Sequence, residues 1–377
     1  MSDRIVVKIG SRVLTKKDGA LNKDVIAMRV KEYFHAIKEQ AAELVVVSSG
    51  AVSAGRSLLD LKGAALDYGT IKYSKDILRE QILAAVGQPD VISSWKKEFE
   101  KYGILCGQIL TPRKVFADRA DYLSIRTVTT NLMKFGVVPI FNRNDTMSPE
   151  DIDFTDNDQL ACLVAAMIQA DKLIILTDVD GVYTGSPGDP KSKLVDCIED
   201  AMKYISYVDK NSGTGKGGMK TKLSTADLAT SLGIDVYIAN GLTSSVITDI
   251  LSGEKRGTFF PAKHKGKVKP IKYWLATAAT SEGKIIVSTY LADLLAGMKA
   301  ASVLFSGIEQ IVGDFQIKDV VEVCDDSGKL LGRGLIRFSS NNLRKKLEEY
   351  KTLPKEERDR SVENSMTAIH YNDFARC

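Results

Sequence analysis

Cysteine and histidine are scarce in this chain of 377 residues, and neither occurs in a pattern typical of metal or redox chemistry. The five cysteines are scattered and lack CxxC spacing, so we expect reduced thiols. The three histidines lie outside every motif described below. Long apolar runs are also missing: the first is interrupted by Lys8 and is too short for a signal peptide, and no uncharged stretch reaches membrane-spanning length. These absences predict a cytoplasmic protein without a membrane segment.

A strong net charge is lacking as well. The 52 basic and 48 acidic side chains leave a net charge of +4, which is too small to indicate a polyanionic partner such as nucleic acid. Hydrophobic residues, in contrast, make up 44% of the chain, enough to fill a large core and a second, smaller one. We therefore expect two domains.

Short β-rich apolar runs alternate with longer segments of helical periodicity in the first part of the chain. This alternation predicts an α/β fold, an αβα sandwich in which helices cover a mainly parallel sheet. Ligands bind such sheets beyond the carboxyl ends of the strands, so chemically active residues should follow the apolar runs. The predicted strands lie at 5–7, 44–47, 104–110, 137–140, 173–176 and 236–238, and the predicted helices at 24–37, 76–86, 124–135, 157–168 and 219–232.

The pattern changes near residue 258. Five lysines and no acidic residue occupy 262–272, which indicates a basic linker. Strand-like runs separated by turns follow, and they predict a small β-rich domain. We therefore divide the chain into an α/β domain at 1–258, a linker at 259–271, a β-rich domain at 272–350 and a C-terminal tail at 351–377.

A lysine interrupts the first apolar run, in the sequence VVKIGS at 6–11. A buried ammonium group requires an anionic partner, and the backbone at Gly10 and Ser11 could form an anion cradle beside it. Lys8 would then face a phosphate. A solvent-exposed lysine on an edge strand explains the same residues about as well.

Small residues end the second run, in VSSGAVSAG at 47–55. They would expose backbone N–H groups to an anion at the start of a helix, although an ordinary tight turn uses the same residue types. The fourth run ends in NRND at 142–145, where amides and a carboxylate suit the charged groups of an amino acid. An Asx-rich turn explains that segment about as well. Farther on, TDNDQL at 155–160 opens a helix, so capping accounts for one of its polar residues.

Two further segments suit a nucleotide. LTDVDGVYT at 176–184 joins a strand end to a turn, and turn chemistry alone could account for it. The glycine-rich segment 212–222 opens a helix and carries three lysines that could reach phosphates. It contains GxGxxG, but no strand runs into it, so a loop covering a nucleotide fits better than a Rossmann turn.

Together these segments, with QILAAVGQ at 81–88 and GKGGMKTKL at 215–223, resemble the amino acid kinase family over essentially the whole chain. Within that family they resemble the members that phosphorylate the side-chain carboxylate of glutamate. The resemblance implies an amino acid kinase-like sandwich, and residues 272–350 look like the PUA domain that many such members carry.

The resemblance also implies roles for individual residues. Lys8 and Lys222 would contact the transferred phosphoryl group, and Asp158 would orient both lysines. The residues implied to hold glutamate are Ser49, Gly50, Asn142, Asp145 and Asn157. The residues implied to line the ATP site are Lys8, Gly10, Ser11, Thr177, Asp178, Lys216, Gly217, Gly218, Met219, Lys220, Thr221 and Lys222. No protein metal site is implied, because the ATP phosphates would carry most of the Mg2+ coordination.

The implied reaction is ATP-dependent phosphorylation of the γ-carboxylate of L-glutamate to L-glutamyl 5-phosphate, the first step of proline biosynthesis. A glutamate side chain has a pKa of about 4.3 and is ionised at pH 7, so no general base is needed. The work consists of positioning and charge neutralisation. The implied partners are proline as an inhibitor, further copies of the chain in a dimer or tetramer, and a glutamyl phosphate reductase that receives the labile product.

Two positions depart from the family pattern. Arg143 stands where the family commonly has an acidic residue, which could alter affinity for the amino acid or for proline, and Thr155 stands where it has glycine. Two alternatives stay open: a kinase of a related acidic amino acid, or an RNA-binding protein acting through the PUA-like domain. Residues 273–350 hold nine basic and ten acidic side chains, which argues against the second.

Overall fold

The computed structural model describes residues 3–59, 75–112, 114–147, 157–205, 218–264, 270–277, 279–297, 301–354 and 366–376. The chain forms two compact units. The first comprises Met1–Val115 and Ala120–Lys267, and the second comprises Phe116–Arg119 and Val268–Cys377.

A seven-stranded sheet forms the centre of the first unit. Its strands are β1 (Arg4–Ile9), β2 (Glu43–Val47), β3 (Leu105–Thr111), β4 (Val137–Arg143), β5 (Lys172–Thr177), β6 (Asp235–Asn240) and β7 (Thr258–Phe260). Their order is β3-β4-β2-β1-β5-β6-β7, so β1 is the central strand. All neighbouring pairs are parallel except β6 and β7. The predicted mainly parallel sheet is confirmed.

Helices cover both faces of this sheet. They are α1 (Ser11–Leu14), α2 (Lys23–Gln40), α3 (Ala51–Leu58), α4 (Lys75–Glu100), α5 (Lys114–Ala117), α6 (Arg119–Lys134), α7 (Asn157–Ile168), α8 (Met219–Ser231) and α9 (Val246–Leu251). Ile5, Val7 and Ile9 of β1 join one core with residues of α2 and α4. Because side chains alternate along a strand, Lys8 points to the opposite face, on which α7 packs.

Two glycines allow α3 and α4 to pack in direct backbone contact. A Cβ atom added to Gly55 would lie 1.8 Å from the carbonyl oxygen of Leu83, and one added to Gly87 would lie 2.0 Å from that of Ala51. Gly50 precedes α3 with φ +96°, a conformation that favours glycine. The packing of α4 therefore fixes the turn that opens α3.

The second unit is built on a five-stranded sheet of order β10-β8-β11-β12-β14 and a two-stranded pair, β13-β9. Its strands are β8 (Gly283–Val287), β9 (Val303–Leu304), β10 (Ile308–Gly313), β11 (Val320–Cys324), β12 (Leu330–Leu335), β13 (Thr367–Ile369) and β14 (Phe374–Arg376). Its helices are α10 (Pro270–Thr277), α11 (Thr289–Ala296) and α12 (Ser340–Thr352). The predicted β-rich C-terminal region is confirmed.

Some strands cross the domain limits drawn from sequence, which stay predictions. Strand β7 continues the first sheet to Phe260, two residues into the segment assigned to the linker. The segment 351–377, assigned to a tail, supplies β13 and β14, whose partners are β9 and β12. Residues 265–269 of the linker lie outside the described residues. Within the described part of the chain, no helix combines the length and apolar composition that a membrane span requires.

Candidate active site

Two buried lysines share one buried carboxylate at the carboxyl end of the central strand. Lys8 Nζ lies 2.5 Å from Asp158 Oδ1, and Lys222 Nζ lies 2.9 Å from Asp158 Oδ2. Lys8 is 2% exposed, Lys222 7% and Asp158 0%. The edge-strand alternative for Lys8 is wrong, because β1 is central and its lysine is buried.

Each member of this Lys8–Asp158–Lys222 cluster comes from a different element. Lys8 is near the end of β1, Asp158 is in the first turn of α7, and Lys222 is in the first turn of α8. One carboxylate facing two ammonium groups leaves an excess of one positive charge, and low local polarity strengthens its attraction for an anion. Lys220, on the same helix as Lys222, is exposed. The two lysines therefore differ in burial.

The predicted substrate residues surround the turn between β2 and α3. Asn157 Nδ2 donates to the carbonyl oxygen of Ser48 at 2.9 Å, to Ser49 Oγ at 2.7 Å and to Asn142 Oδ1 at 3.2 Å. Its own Oδ1 is buried and has no hydrogen-bond partner within the described residues. This amide oxygen is therefore available to a ligand donor.

A small cavity of about 60 Å³ lies against this turn. Its lining includes Ser49, Gly50, Asn142, Asp145 and Asn157, all predicted from the sequence to hold substrate. The other lining residues are Ser11, Ala51, Val52, Ser53 and Arg143. The structure thus brings together every residue that was predicted to contact the amino acid.

Asp145 supplies the negative charge of this cavity. Its Oδ1 lies 2.9 Å from Nη2 of Arg143. Burial raises the pKa of Asp145 above its usual range, and the positive charge of Arg143 opposes that shift without cancelling it. The carboxylate of Asp145 therefore takes up a proton at a higher pH than an ordinary aspartate does.

The residues predicted to line the ATP site follow β1 and β5. The Gly10 N–H donates to the carbonyl oxygen of Leu176 at 2.9 Å, and a Cβ atom at Gly10 would lie 3.9 Å from Lys8 Nζ. Thr177 Oγ1 donates to Asp178 Oδ1 at 3.2 Å, and Arg12 pairs with Asp178 at 3.2 Å. Burial alone would raise the pKa of Asp178, but hydrogen bonds from the backbone and from Arg12 lower it overall.

The remaining predicted ATP residues lie at the start of α8 or before it. Gly218 precedes the helix, and Met219, Lys220, Thr221 and Lys222 form its first turn. Lys216 and Gly217 lie outside the described residues, as do Thr155 and Asp156 of the TDNDQL segment. Their contribution stays a prediction.

Sequence reasoning missed two residues of α4 that support the turn between β2 and α3, which we call the substrate turn. Gln88 Oε1 accepts from Asn142 Nδ2 at 2.8 Å, and Trp95 Nε1 donates to Ser48 Oγ at 3.0 Å. Their spacing of seven residues places both on one face of the helix. Gln88 belonged to the segment QILAAVGQ that carried the resemblance, so its polar side chain facing the sheet could have been noticed. Trp95 gave no signal beyond hydrophobicity.

The model of the amino acid kinase family matches residues 3–240. The chain belongs to the amino acid kinase family. A model of the PUA domain matches residues 283–351 of this amino acid kinase, in the second unit. Membership of the family makes the chain a kinase.

Curated relatives of this amino acid kinase are named glutamate 5-kinase. One from Thermoanaerobacter sp. (strain X514) is 37% identical over 349 residues, covering 91% of this chain and 90% of the relative. One from Bacteroides thetaiotaomicron is 34% identical over 357 residues, covering 93% of this chain and 96% of the relative. Among solved structures, a UMP kinase from Ureaplasma parvum matches with 16% identity and a TM-score of 0.48, covering 69% of this chain and 99% of that chain.

Proposed function

We propose that this protein phosphorylates the γ-carboxylate of L-glutamate with ATP and releases L-glutamyl 5-phosphate. The observation that carries the proposal is the Lys8–Asp158–Lys222 cluster, which lies at the carboxyl ends of the central strands. The similarity to glutamate 5-kinases over about nine-tenths of the chain identifies the substrate. This reaction would be the first step of proline biosynthesis.

The cluster suits transfer between two anions. A carboxylate can attack a phosphoryl group only if the repulsion between them is neutralised, and this needs cations held in place before the reaction. Lys8 and Lys222 supply that charge, and Asp158 fixes the positions of both ammonium groups. Proton removal is not required, because the attacking carboxylate is already ionised at neutral pH.

The residues that bind the substrate glutamate have separate roles. Asp145 and the Oδ1 atom of Asn157 accept from the α-ammonium group. Ser49, Gly50 and Asn142 shape the turn along which the side chain of glutamate extends toward the lysines. The γ-carboxylate is thereby held beside the phosphoryl group that it attacks.

The described residues suit ATP as the phosphoryl donor. Gly10, Ser11, Thr177 and Asp178 lie at the same edge of the sheet, and a Cβ atom added to Gly10 would lie 3.2 Å from the carbonyl oxygen of Leu176. Residues 216–222 would cover the phosphates. Mg2+ would reach the site mainly on the phosphate oxygens of ATP. Bound Mg2+ would help to neutralise the charge on those oxygens.

The proposal also covers inhibition, location, oligomeric state and the fate of the product. Proline inhibits at or near the glutamate site, the protein works in the cytoplasm as a dimer or tetramer, and the product passes promptly to a glutamyl phosphate reductase because acyl phosphates are labile. Loss of activity at rising proline, competitive with glutamate, is the expected result. Full activity at millimolar proline would refute the inhibition.

The test of the proposed function is the trapping of the acyl phosphate by hydroxylamine. Wild-type protein should form γ-glutamyl hydroxamate only with both ATP and glutamate, and Lys8→Ala and Lys222→Ala should each lose activity by a factor on the order of 10² or more. Lys31→Ala removes an exposed lysine of α2 and serves as the matched control. Hydroxamate formed at wild-type rates by both active-site variants would contradict the proposed roles, and aspartyl but no glutamyl hydroxamate would favour the related-acid alternative.

A further inference from the structure

The α-carboxylate of glutamate has no partner in the assignments above. L-glutamate carries an ammonium and a carboxylate group on the same carbon, and the carboxylate that reacts lies at the other end of the molecule. Asp145 and Asn157 account for the ammonium group. A buried carboxylate without a cation or several donors is costly, so the cavity should provide one.

Arg143 is placed to meet this requirement. It is the last residue of β4, lines the small cavity, and has a side chain that is 33% exposed. Its Nη2 lies 2.9 Å from Asp145 Oδ1, so a positive and a negative group stand side by side. The two charges of an amino acid are adjacent in the same way.

The two buried lysines of the Lys8–Asp158–Lys222 cluster are already paired with a carboxylate. Lys8 and Lys222 contact Asp158 and lie at the phosphoryl end. Apart from Arg143, the residues that line the small cavity are neutral or, in the case of Asp145, negatively charged. Within the lining that the structure describes, Arg143 is therefore the group that can pair with the α-carboxylate.

Arg143 also borders a larger cavity. Together with Asp145 it lines a second cavity of about 420 Å³, whose walls include Ala84, Ile92 and Leu110. Arg143 therefore lies where the two cavities meet. Its planar fork can hold a carboxylate with two parallel hydrogen bonds.

We propose that Arg143 binds the α-carboxylate of the substrate and so selects α-amino acids over other compounds with a free γ-carboxylate. The inference rests on the proposed function and deepens it. It belongs to this chain in particular, because an acidic residue, which the family resemblance leads one to expect at position 143, could not bind a carboxylate. In the alternative role, Arg143 only neutralises Asp145 and competes with the ammonium group of the substrate for that carboxylate.

The test compares L-glutamate with L-isoglutamine, its α-carboxamide. Both compounds keep the γ-carboxylate and the α-ammonium group, so any effect that acts through Asp145 changes both equally. In Arg143→Gln at pH 8, kcat/KM for glutamate should fall on the order of 10- to 100-fold, whereas kcat/KM for isoglutamine should change by less than about threefold. Arg143→Lys should retain part of the preference, since it keeps the charge but not the fork. Arg56→Gln, an exposed arginine on α3, is the matched control.

Each outcome decides the inference. Equal losses for both compounds, or an unchanged glutamate preference in Arg143→Gln, would overturn it, as would an improved kcat/KM for glutamate. Thermal unfolding of Arg143→Gln and Arg143→Lys separates a folding defect from a binding defect. If wild-type protein phosphorylates neither compound, the proposed function fails and takes this inference with it; if wild type phosphorylates glutamate and the variant keeps its preference, the inference alone fails.

Discussion

At the scale of single residues, the central feature is a buried ion cluster that the sequence predicts only in part. Lys8 interrupts an apolar strand, which indicates a need for an anion, but an exposed edge strand satisfies that need equally well. The order of the strands in the sheet decides between these two explanations. That order depends on how the chain crosses over from strand to strand, which the sequence of one strand does not encode. The pairing of Lys8 and Lys222 with Asp158 followed from the family resemblance, because nothing in residue type or spacing links positions that far apart.

Removing the shared carboxylate should destabilise the fold. Asp158→Asn leaves two buried ammonium groups without their counter-charge, so the free energy of unfolding should fall by about 3–5 kcal/mol. Urea unfolding at pH 7 measures it. Asp24→Asn removes an exposed carboxylate that pairs with Lys16 and should change stability little. Equal effects of the two substitutions would contradict a buried cluster.

The raised pKa of Asp145 predicts a pH dependence of glutamate binding. Protonation removes the charge that attracts the α-ammonium group, so KM for glutamate should rise as pH falls, beginning at a higher pH than an ordinary aspartate would give. Arg143 lowers this pKa, so in Arg143→Gln the rise should begin at a still higher pH. Glutamate KM measured across pH in both proteins tests this. An identical profile in the two proteins would refute the link to Asp145.

At the scale of elements, helix α4 supports the substrate turn in two ways that the sequence did not reveal. The small residues of VSSGAVSAG were expected to expose backbone N–H groups to an anion or to form a tight turn, but Gly55 lies inside α3 and permits the contact with α4. Trp95 reaches the turn from two helical turns beyond Gln88. Both contacts require knowledge of which helices pack together, and local sequence patterns do not contain it.

Separating the two helices should disturb the substrate turn. In Gly87→Ala the new Cβ atom would overlap the carbonyl oxygen of Ala51, the first residue of α3. The free energy of unfolding should fall by about 1–3 kcal/mol, and KM for glutamate should rise because the turn moves with the helix. Gly188→Ala, where a Cβ atom meets nothing within 4 Å, is the control for both measurements. A Gly87→Ala protein with wild-type stability would contradict the close packing.

The hydrogen bond of Trp95 should affect glutamate more than ATP. Trp95→Phe keeps an aromatic ring but removes the donor to Ser48 Oγ, so KM for glutamate should rise a few-fold while KM for ATP changes little. Tyr33→Phe is a matched control in the same aromatic cluster, because the Tyr33 hydroxyl has no hydrogen-bond partner within the described residues. Steady-state kinetics of both variants provide the comparison. Similar changes in the two Michaelis constants would assign Trp95 a purely structural role.

At the scale of the whole molecule, alternation of apolar runs was sufficient to predict a mainly parallel sheet and a β-rich C-terminal region. The residues at which the two units begin and end were harder to predict from the sequence. Strand β7 has three residues and pairs antiparallel at the edge, and β13 and β14 are three-residue strands whose partners are β9 and β12. The domain limits 1–258 and 272–350, like the role of the PUA-like region, stay predictions.

The central claim is that the γ-carboxylate of glutamate attacks the phosphoryl group of ATP. Glutamate labelled with 18O in its γ-carboxylate tests this directly, because hydroxylamine cleaves an acyl phosphate at carbon and leaves the bridging oxygen on phosphate. Mass spectrometry of the released phosphate should find one 18O atom for each γ-glutamyl hydroxamate formed. Hydroxamate accompanied by phosphate without the label would contradict the account.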